Sequence, residues 1–144
     1  QITINKGSVD GVNVGDAVAD ANGVIGHVIR DQFFSSEILL ISDLEHAIPI
    51  EIINTGERAI AYGTGDMSRL EIRSIPPNSK AKIDDVIITS GLGGRYPEGF
   101  PIGVISRIDS VEGENFLTIN LSPFADLKFI NEIWVIQTEV TQDE

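Results

Sequence analysis

The sequence contains no cysteine, which excludes disulfide bonds, thiol nucleophiles and thiolate metal ligands. Cations are also scarce, since 10 Lys and Arg face 22 Asp and Glu and give a formal net charge of −12. Phosphate-rich partners require a basic surface, which this composition does not supply. We therefore do not expect nucleic acid or anionic lipid headgroups as direct partners.

Long apolar runs and helical periodicity are missing as well. The run at residues 38–41 is far below the roughly 18 residues of a transmembrane helix, and no signal segment follows Gln1. We expect a chain that is soluble as given and is a fragment of a longer protein. Only residues 122–130 suggest a helical turn, with Ser122 as its cap and Pro123 at its first position.

Short segments rich in β-branched residues dominate the remaining sequence. Turn residues separate them, including Asp10-Gly11, Asn22-Gly23 and Asn54-Thr55-Gly56. This pattern is typical of strands in barrels or sandwiches. It predicts at least nine strands, at residues 2–4, 24–29, 37–41, 48–53, 70–75, 86–89, 102–105, 116–121 and 133–136.

The two halves of the chain resemble each other in order. Residues 12–30 can be laid on residues 81–107, and residues 48–52 on residues 131–135. Each copy contains a strand that begins with a hydrophobic residue followed by glycine, at Gly26 and Gly103. A glycine there suits a bend where a small barrel closes. The sequence predicts an all-β fold of two tandem, six-stranded-type barrels related by internal duplication, a double-barrel arrangement resembling trypsin-like folds without their active site.

This duplication sets the predicted domain boundaries. The first barrel would comprise residues 1–69, the second residues 70–138, and residues 139–144 would form a disordered tail. The last strand could close the second barrel or return to the first.

A glycine-rich segment at residues 89–104 is the strongest candidate for a functional loop. It lacks the third glycine of a dinucleotide fingerprint and the Gly-Lys-Ser/Thr of a phosphate-binding loop. It also has no hydroxyl where a trypsin-like nucleophile would stand, and His27 and His46 are predicted as ordinary strand and turn residues. We expect no catalytic residue, metal or cofactor, and we interpret these glycines as structural: Gly26, Gly91, Gly93, Gly94, Gly99 and Gly103.

Four aromatic residues lie in predicted loops. Tyr96 and Phe100 belong to the glycine-rich segment, and Phe33 and Phe34 follow Asp31-Gln32. Such rings can plug the core or contact a partner. We interpret all four as candidate partner-binding residues, with packing favoured for at least one of Tyr96 and Phe100.

Five ordered segments resemble the MreC family of bacterial rod shape-determining proteins: residues 7–18, 23–28, 39–43, 89–104 and 122–127. The resemblance implies a non-enzymatic, periplasmic or extracytoplasmic scaffold that forms dimers or filaments. It implies as partners the elongation-specific penicillin-binding transpeptidase, MreD, MreB and other wall-synthesis enzymes. It also implies a membrane anchor outside this chain.

Two other functions remain open from the sequence. One is a trypsin-like hydrolase with an unrecognised active site. The other is a β-barrel module that binds a small ligand or glycan at its mouth.

Overall fold

The computed structural model describes residues 1–110, 112–130 and 132–136. The predicted tail at 139–144 lies outside them. The described residues form eleven strands, and all of their pairings are antiparallel. They are β1 (Ile2–Ile4), β2 (Ala17–Ala19), β3 (Val24–Asp31), β4 (Ser36–Leu40), β5 (Ala47–Ile52), β6 (Arg58–Gly63), β7 (Leu70–Ile75), β8 (Val86–Thr89), β9 (Pro101–Ser110), β10 (Leu117–Pro123) and β11 (Trp134–Ile136).

Helical structure is minimal. The described residues contain one short 3₁₀ helix, Ser8–Asp10, and no helix long and apolar enough to cross a membrane. The predicted helical turn at 122–130 is wrong. Ser122 and Pro123 end strand β10, and a turn follows in which the Phe129 N–H donates to the Asp126 carbonyl at 3.1 Å.

The strands form two sheets. The first sheet has five strands in the order β1-β4-β3-β2-β11, and the second is a closed six-stranded barrel in the order β10-β7-β6-β5-β8-β9. The all-β prediction and one six-stranded barrel are therefore confirmed. A second closed barrel, which the trypsin-like arrangement requires, is not formed by the residues that the structure describes.

The two predicted halves of the chain exchange strands. Strand β5 lies in the first half but pairs with β8 of the barrel, while β11 lies in the second half but pairs with β2 of the first sheet. The sheets consequently divide between β4 and β5 rather than at residue 70. The predicted boundaries, 1–69 and 70–138, do not match this allocation, because strand pairing at β5 and β11 connects segments that are distant in sequence.

The predicted internal duplication has a structural counterpart at Asp16 and Asp85, which precede β2 and β8. The Oδ2 of each accepts a hydrogen bond of 2.8 Å from the backbone N–H three residues earlier. The carbonyl of Asp16 accepts from the Val28 N–H at 2.9 Å, and that of Asp85 from the Ile105 N–H at 3.0 Å. Equivalent turns therefore start equivalent strand pairs in both sheets.

Branched aliphatic side chains fill the interior. Alternation along β5 buries Ile48, Ile50 and Ile52 completely, as expected for a strand with one face toward a core. Strands of this kind suit β-branched residues, whose restricted rotamers fit the pleated surface. Because aliphatic side chains fill the barrel, its interior is a packed core and not a ligand chamber.

Candidate functional site

The glycine-rich loop, residues 90–100, connects β8 to β9 and is anchored at its base by Thr89. The Thr89 hydroxyl accepts from the Phe100 N–H at 2.8 Å and donates to the Pro97 carbonyl. The Thr89 carbonyl also accepts from the Gly99 N–H at 2.9 Å. Residues 97–100 are therefore fixed to the end of β8. The equivalent connection between β2 and β3 spans only residues 20–23.

The tip of this loop, residues 91–96, ends in the buried side chain of Tyr96. Its hydroxyl lies 2.9 Å from His27 Nδ1 and 2.7 Å from His46 Nε2. His27 comes from β3 of the first sheet, and His46 from the linker at residues 41–46 that leads to β5. The relative exposures of Tyr96, His27 and His46 are 3%, 6% and 1%. This His–Tyr–His cluster thus joins the loop to the first sheet through polar contacts shielded from water.

The hydroxyl carries one proton, so one imidazole must accept from it and the other must donate to it. His46 Nδ1 is buried and has no hydrogen-bond partner among the described residues. An unpaired buried acceptor is tolerated better than an unpaired buried N–H. We therefore assign the proton of His46 to Nε2, which donates to Tyr96, while the Tyr96 hydroxyl donates to His27 Nδ1.

Burial keeps both imidazoles neutral. Desolvation lowers the pKa of His27 to about 4, and the positive charge of Arg95 acts in the same direction. Desolvation lowers the pKa of His46 to about 3, with further contributions from His27 and Arg95. Burial also raises the pKa of Tyr96 well above its usual range. The cluster is therefore uncharged at neutral pH.

The cluster does not form a protease-like triad. Within the described residues, the side-chain hydrogen bonds of both imidazoles go to Tyr96, and none joins an imidazole to a serine or carboxylate. A general base needs an orienting acid and a nucleophile within hydrogen-bond reach. The sequence analysis treated both histidines as isolated residues and did not predict that both would be hydrogen-bonded to Tyr96.

Burial also corrects the interpretation of Tyr96 as a partner-binding residue. With 3% of its surface exposed, Tyr96 serves as the loop's plug, which is the packing role considered for this ring. Phe100 is half-buried and packs against the core. The structure thus leaves little of the Tyr96 ring available to a partner, while part of Phe100 remains exposed.

Replacing Tyr96 with phenylalanine should destabilise the protein by about 1–3 kcal/mol. The ring would still fill its site, but both imidazole nitrogens would lose their buried partner. Urea unfolding at pH 7.5 measures this change. Tyr62→Phe is the control, because Tyr62 is only half-buried. Equal stability of both variants would contradict a structural role for the Tyr96 hydroxyl.

Phe33 and Phe34 occupy the turn between β3 and β4, and both are exposed, by 63% and 71%. Their rings meet edge to face with centroids 5.0 Å apart. The Val9 N–H donates to the Phe33 carbonyl at 3.1 Å, and Val9 is itself 55% exposed. These three residues form an apolar surface patch, which we call the Phe33–Phe34 patch.

A groove of about 1000 Å³ lies between β1 and the segment leading into β11. Strands β1 and β11 are the two ends of the first sheet, so among the described residues each pairs along one side only. Ile2, Ile133 and Trp134 contribute apolar surface to the groove, and Lys6 and Glu132 contribute charge. The groove therefore combines open strand edges with a mixed lining.

The glycines of the loop and of the strands have two different geometries. Gly91, Gly93, Gly94 and Gly99 have φ between 76° and 90°, the left-handed region. Gly26 and Gly103 instead lie against the neighbouring strand, where a Cβ would approach the carbonyls of Leu39 and Ser122 to well under 3.0 Å.

Comparison with known proteins shows which family shares this sequence and fold. A family profile described as "Rod shape-determining protein MreC, barrel core" matches residues 1–137. The Cell shape-determining protein MreC of Escherichia coli strain K12 is 39% identical over 128 residues, which are 89% of this chain and 35% of that protein. Its counterpart in Haemophilus influenzae is 33% identical over an alignment 145 residues long, which covers 99% of this chain and 41% of that protein.

Solved structures of MreC proteins have the same fold as this chain. The crystal structure of MreC from Pseudomonas aeruginosa superimposes with a TM-score of 0.92 at 34% identity, covering 94% of this chain and 88% of the other. An MreC chain from Helicobacter pylori shares the fold, with a TM-score of 0.62 at 22% identity over 76% of this chain and 68% of the other.

The chain spans less than half the length of the two curated relatives, 35% and 41%. Within that span, the family profile accounts for nearly every residue, including the exchanged strands and the glycine-rich loop. This chain therefore belongs to the MreC family of rod shape-determining proteins.

Proposed function

We propose that this chain is a non-enzymatic scaffold module of the bacterial cell-elongation machinery, which maintains rod shape by self-assembling and by organising peptidoglycan-synthesis enzymes. The observation that carries the proposal is the family membership, since the curated relatives are named cell shape-determining proteins. The cluster at Tyr96 supports a non-catalytic role, because its histidines are neutral and engaged with a tyrosine. We place the module on the periplasmic or extracytoplasmic side, with the anchor in another part of the protein.

The proposed principal partner is the elongation-specific penicillin-binding transpeptidase. The Helicobacter pylori MreC chain was solved in complex with the penicillin-binding protein PBP2, which supports this choice. We extend the proposal to MreD, MreB and other wall-synthesis enzymes through the whole protein.

The proposed contact surface is the Phe33–Phe34 patch, together with the exposed part of Phe100. Exposed rings with an apolar neighbour supply contact area of the kind that anchors protein interfaces. For self-assembly into dimers or filaments, the groove between β1 and β11 supplies two open strand edges that can accept a strand from another copy.

A binding and a cellular experiment together test the function. The purified chain should co-sediment with the periplasmic part of the transpeptidase, and electron microscopy should show assemblies that grow with protein concentration. In cells depleted of their own MreC, the full-length protein should restore rod shape. Restored rod shape without transpeptidase binding would contradict the proposed partner. Failure of the full-length protein to restore rod shape would contradict the proposed function.

Alanine at both Phe33 and Phe34 should weaken transpeptidase binding at least tenfold, because truncating central aromatic contacts commonly costs more than 1 kcal/mol each. Stability should change by less than about 0.5 kcal/mol, since both rings are exposed. Surface plasmon resonance measures the affinity. Phe116→Ala is the matched control, as Phe116 is 50% exposed and immediately precedes β10. Equal affinity of the double variant and the control would contradict the proposed surface.

A further inference from the structure

The His–Tyr–His cluster connects the loop tip to two other parts of the chain, and among the described residues no backbone hydrogen bond joins the tip to either of them. Tyr96 belongs to the loop tip, His27 to β3 and His46 to the linker. We propose that the cluster is an acid-sensitive latch, in which neutral imidazoles hold the tip of the glycine-rich loop against the first sheet and protonation of the imidazoles releases it.

The loop is attached in a way that allows its tip to move alone. Residues 97–100 are fixed by hydrogen bonds to Thr89, on the barrel side. Within the tip, Gly91, Gly93 and Gly94 have left-handed φ, and Leu92 and Arg95 are exposed. Tyr96 is the buried residue of this segment. Loss of its hydroxyl contacts would therefore free the tip while Thr89 keeps the base in place.

Charge makes the closed cluster incompatible with protonation. The imidazole rings of His27 and His46 have centroids 5.1 Å apart, so protonating both puts two like charges side by side in a buried site. Arg95 adds a third positive charge from the loop itself, and it lowers the pKa of both histidines. Tyr96 offers no compensating negative charge, because burial raises its pKa.

The sign of the effect follows from these values. In the open state the imidazoles meet water and titrate near 6.5, whereas in the closed state burial lowers the pKa to about 4 for His27 and about 3 for His46. The closed state is thus fully favoured above pH 6.5. It weakens as the pH falls from 6.5 toward 4, by about tenfold per pH unit for each histidine that protonates on opening.

Hydrogen exchange of the wild-type chain tests the latch directly. Mass spectrometry would follow peptides covering residues 90–100 between pH 7.5 and pH 4.5, with an unstructured peptide of the same sequence correcting for intrinsic exchange. We expect protection at residues 92–96 to fall at least tenfold over this range, while β7 and β10 stay protected. Unchanged protection of the tip, with those strands protected, would overturn the proposal.

Variants distinguish the effect of histidine titration on the loop tip from the effect of side-chain packing. The double variant His27→Gln/His46→Gln keeps hydrogen-bonding side chains but removes the titration, so tip exchange should no longer depend on pH. Arg95→Gln should reduce the acid sensitivity, because it removes a repelling charge from the closed state. Arg107→Gln is the control, since Arg107 is exposed and pairs with Asp109. Acid opening of the double variant equal to wild type would overturn the proposal.

Nuclear magnetic resonance provides a readout that does not depend on any variant folding. Long-range ¹H–¹⁵N spectra of the wild-type imidazoles report the pKa and the protonated nitrogen of each ring. We expect both rings neutral at pH 6, with the protons on Nε2. Two imidazoles that titrate freely near pH 6.5 would overturn the latch even if no variant could be prepared.

Discussion

Alanine at Gly26 or Gly103 should destabilise the protein by about 3 kcal/mol, which lowers the melting temperature by about 10 °C in a chain of this size. Each added Cβ would strike a backbone carbonyl of the next strand, that of Leu39 or Ser122, at much less than 3.0 Å. Backbone atoms within a sheet cannot rotate aside as a flexible side chain can, so the strands themselves must separate. Thermal unfolding followed by circular dichroism measures the effect.

Gly93→Ala is the control for this prediction. Gly93 has φ of 82° and no atom within 4 Å of an added Cβ, so its cost is limited to backbone strain of about 1–2 kcal/mol. If Gly26→Ala proved less destabilising than Gly93→Ala, close strand approach at Gly26 would not be what requires glycine there. The same comparison at Gly103 tests whether the two duplicated positions are energetically equivalent.

Truncating Ile72 to alanine should destabilise the protein by about 2–5 kcal/mol. Ile72 is fully buried in β7 and stands between Ala61 of β6 and Ile119 of β10 in register. The barrel is closed, so neighbouring strands cannot easily collapse onto the cavity that truncation leaves. Urea unfolding measures the change in free energy.

Ile83→Ala is the matched control, because Ile83 is 58% exposed and its truncation should cost less than about 0.5 kcal/mol. A loss below 1 kcal/mol for Ile72→Ala would mean that the barrel relaxes around the missing atoms. The closed six-stranded packing described here would then not be rigid.

Local sequence patterns were sufficient to predict most of the strands. The predicted bounds at residues 2–4, 70–75 and 86–89 agree with β1, β7 and β8. Strands β2 and β6 were missed because alanine interrupts their β-branched pattern, at Ala17 and Ala19 and at Ala59 and Ala61. Alanine has low β propensity, and only pairing with neighbouring strands makes these segments extended.

Long-range pairing could not be predicted in the same way. The sequence alignment of the two halves matches Ile52 with Val135, and in the structure these residues do pair at equivalent places, with Ile87 and Val18. The similarity between the two halves identifies which residues are equivalent. It does not indicate whether the last strand of each half pairs within its own half or with the other half. That choice depends on contacts between residues about 35 to 117 positions apart, which no local pattern encodes.

The contacts of the candidate site could not be predicted from the sequence for the same reason. His27 and Tyr96 are 69 residues apart, and His46 and Tyr96 are 50 apart, so no spacing motif connects them. One signal was available: His27 lies within an otherwise apolar strand, where a polar ring needs a buried partner. Tyrosine in a loop rich in glycine, with an apolar ring and a polar tip, was a suitable partner.

The exchange of β5 and β11 between the two halves of the chain has a consequence for biosynthesis. The first sheet contains β1 to β4 but is completed by residues 134–136, which are synthesised after all six strands of the barrel. Its N-terminal strands must therefore wait with an unpaired edge at β2 until the barrel strands have been synthesised. A protease nick between β6 and β7 would leave a first fragment that contributes β5 and β6 to the barrel and a second fragment that contributes β11 to the first sheet, so the cut protein should remain in one piece.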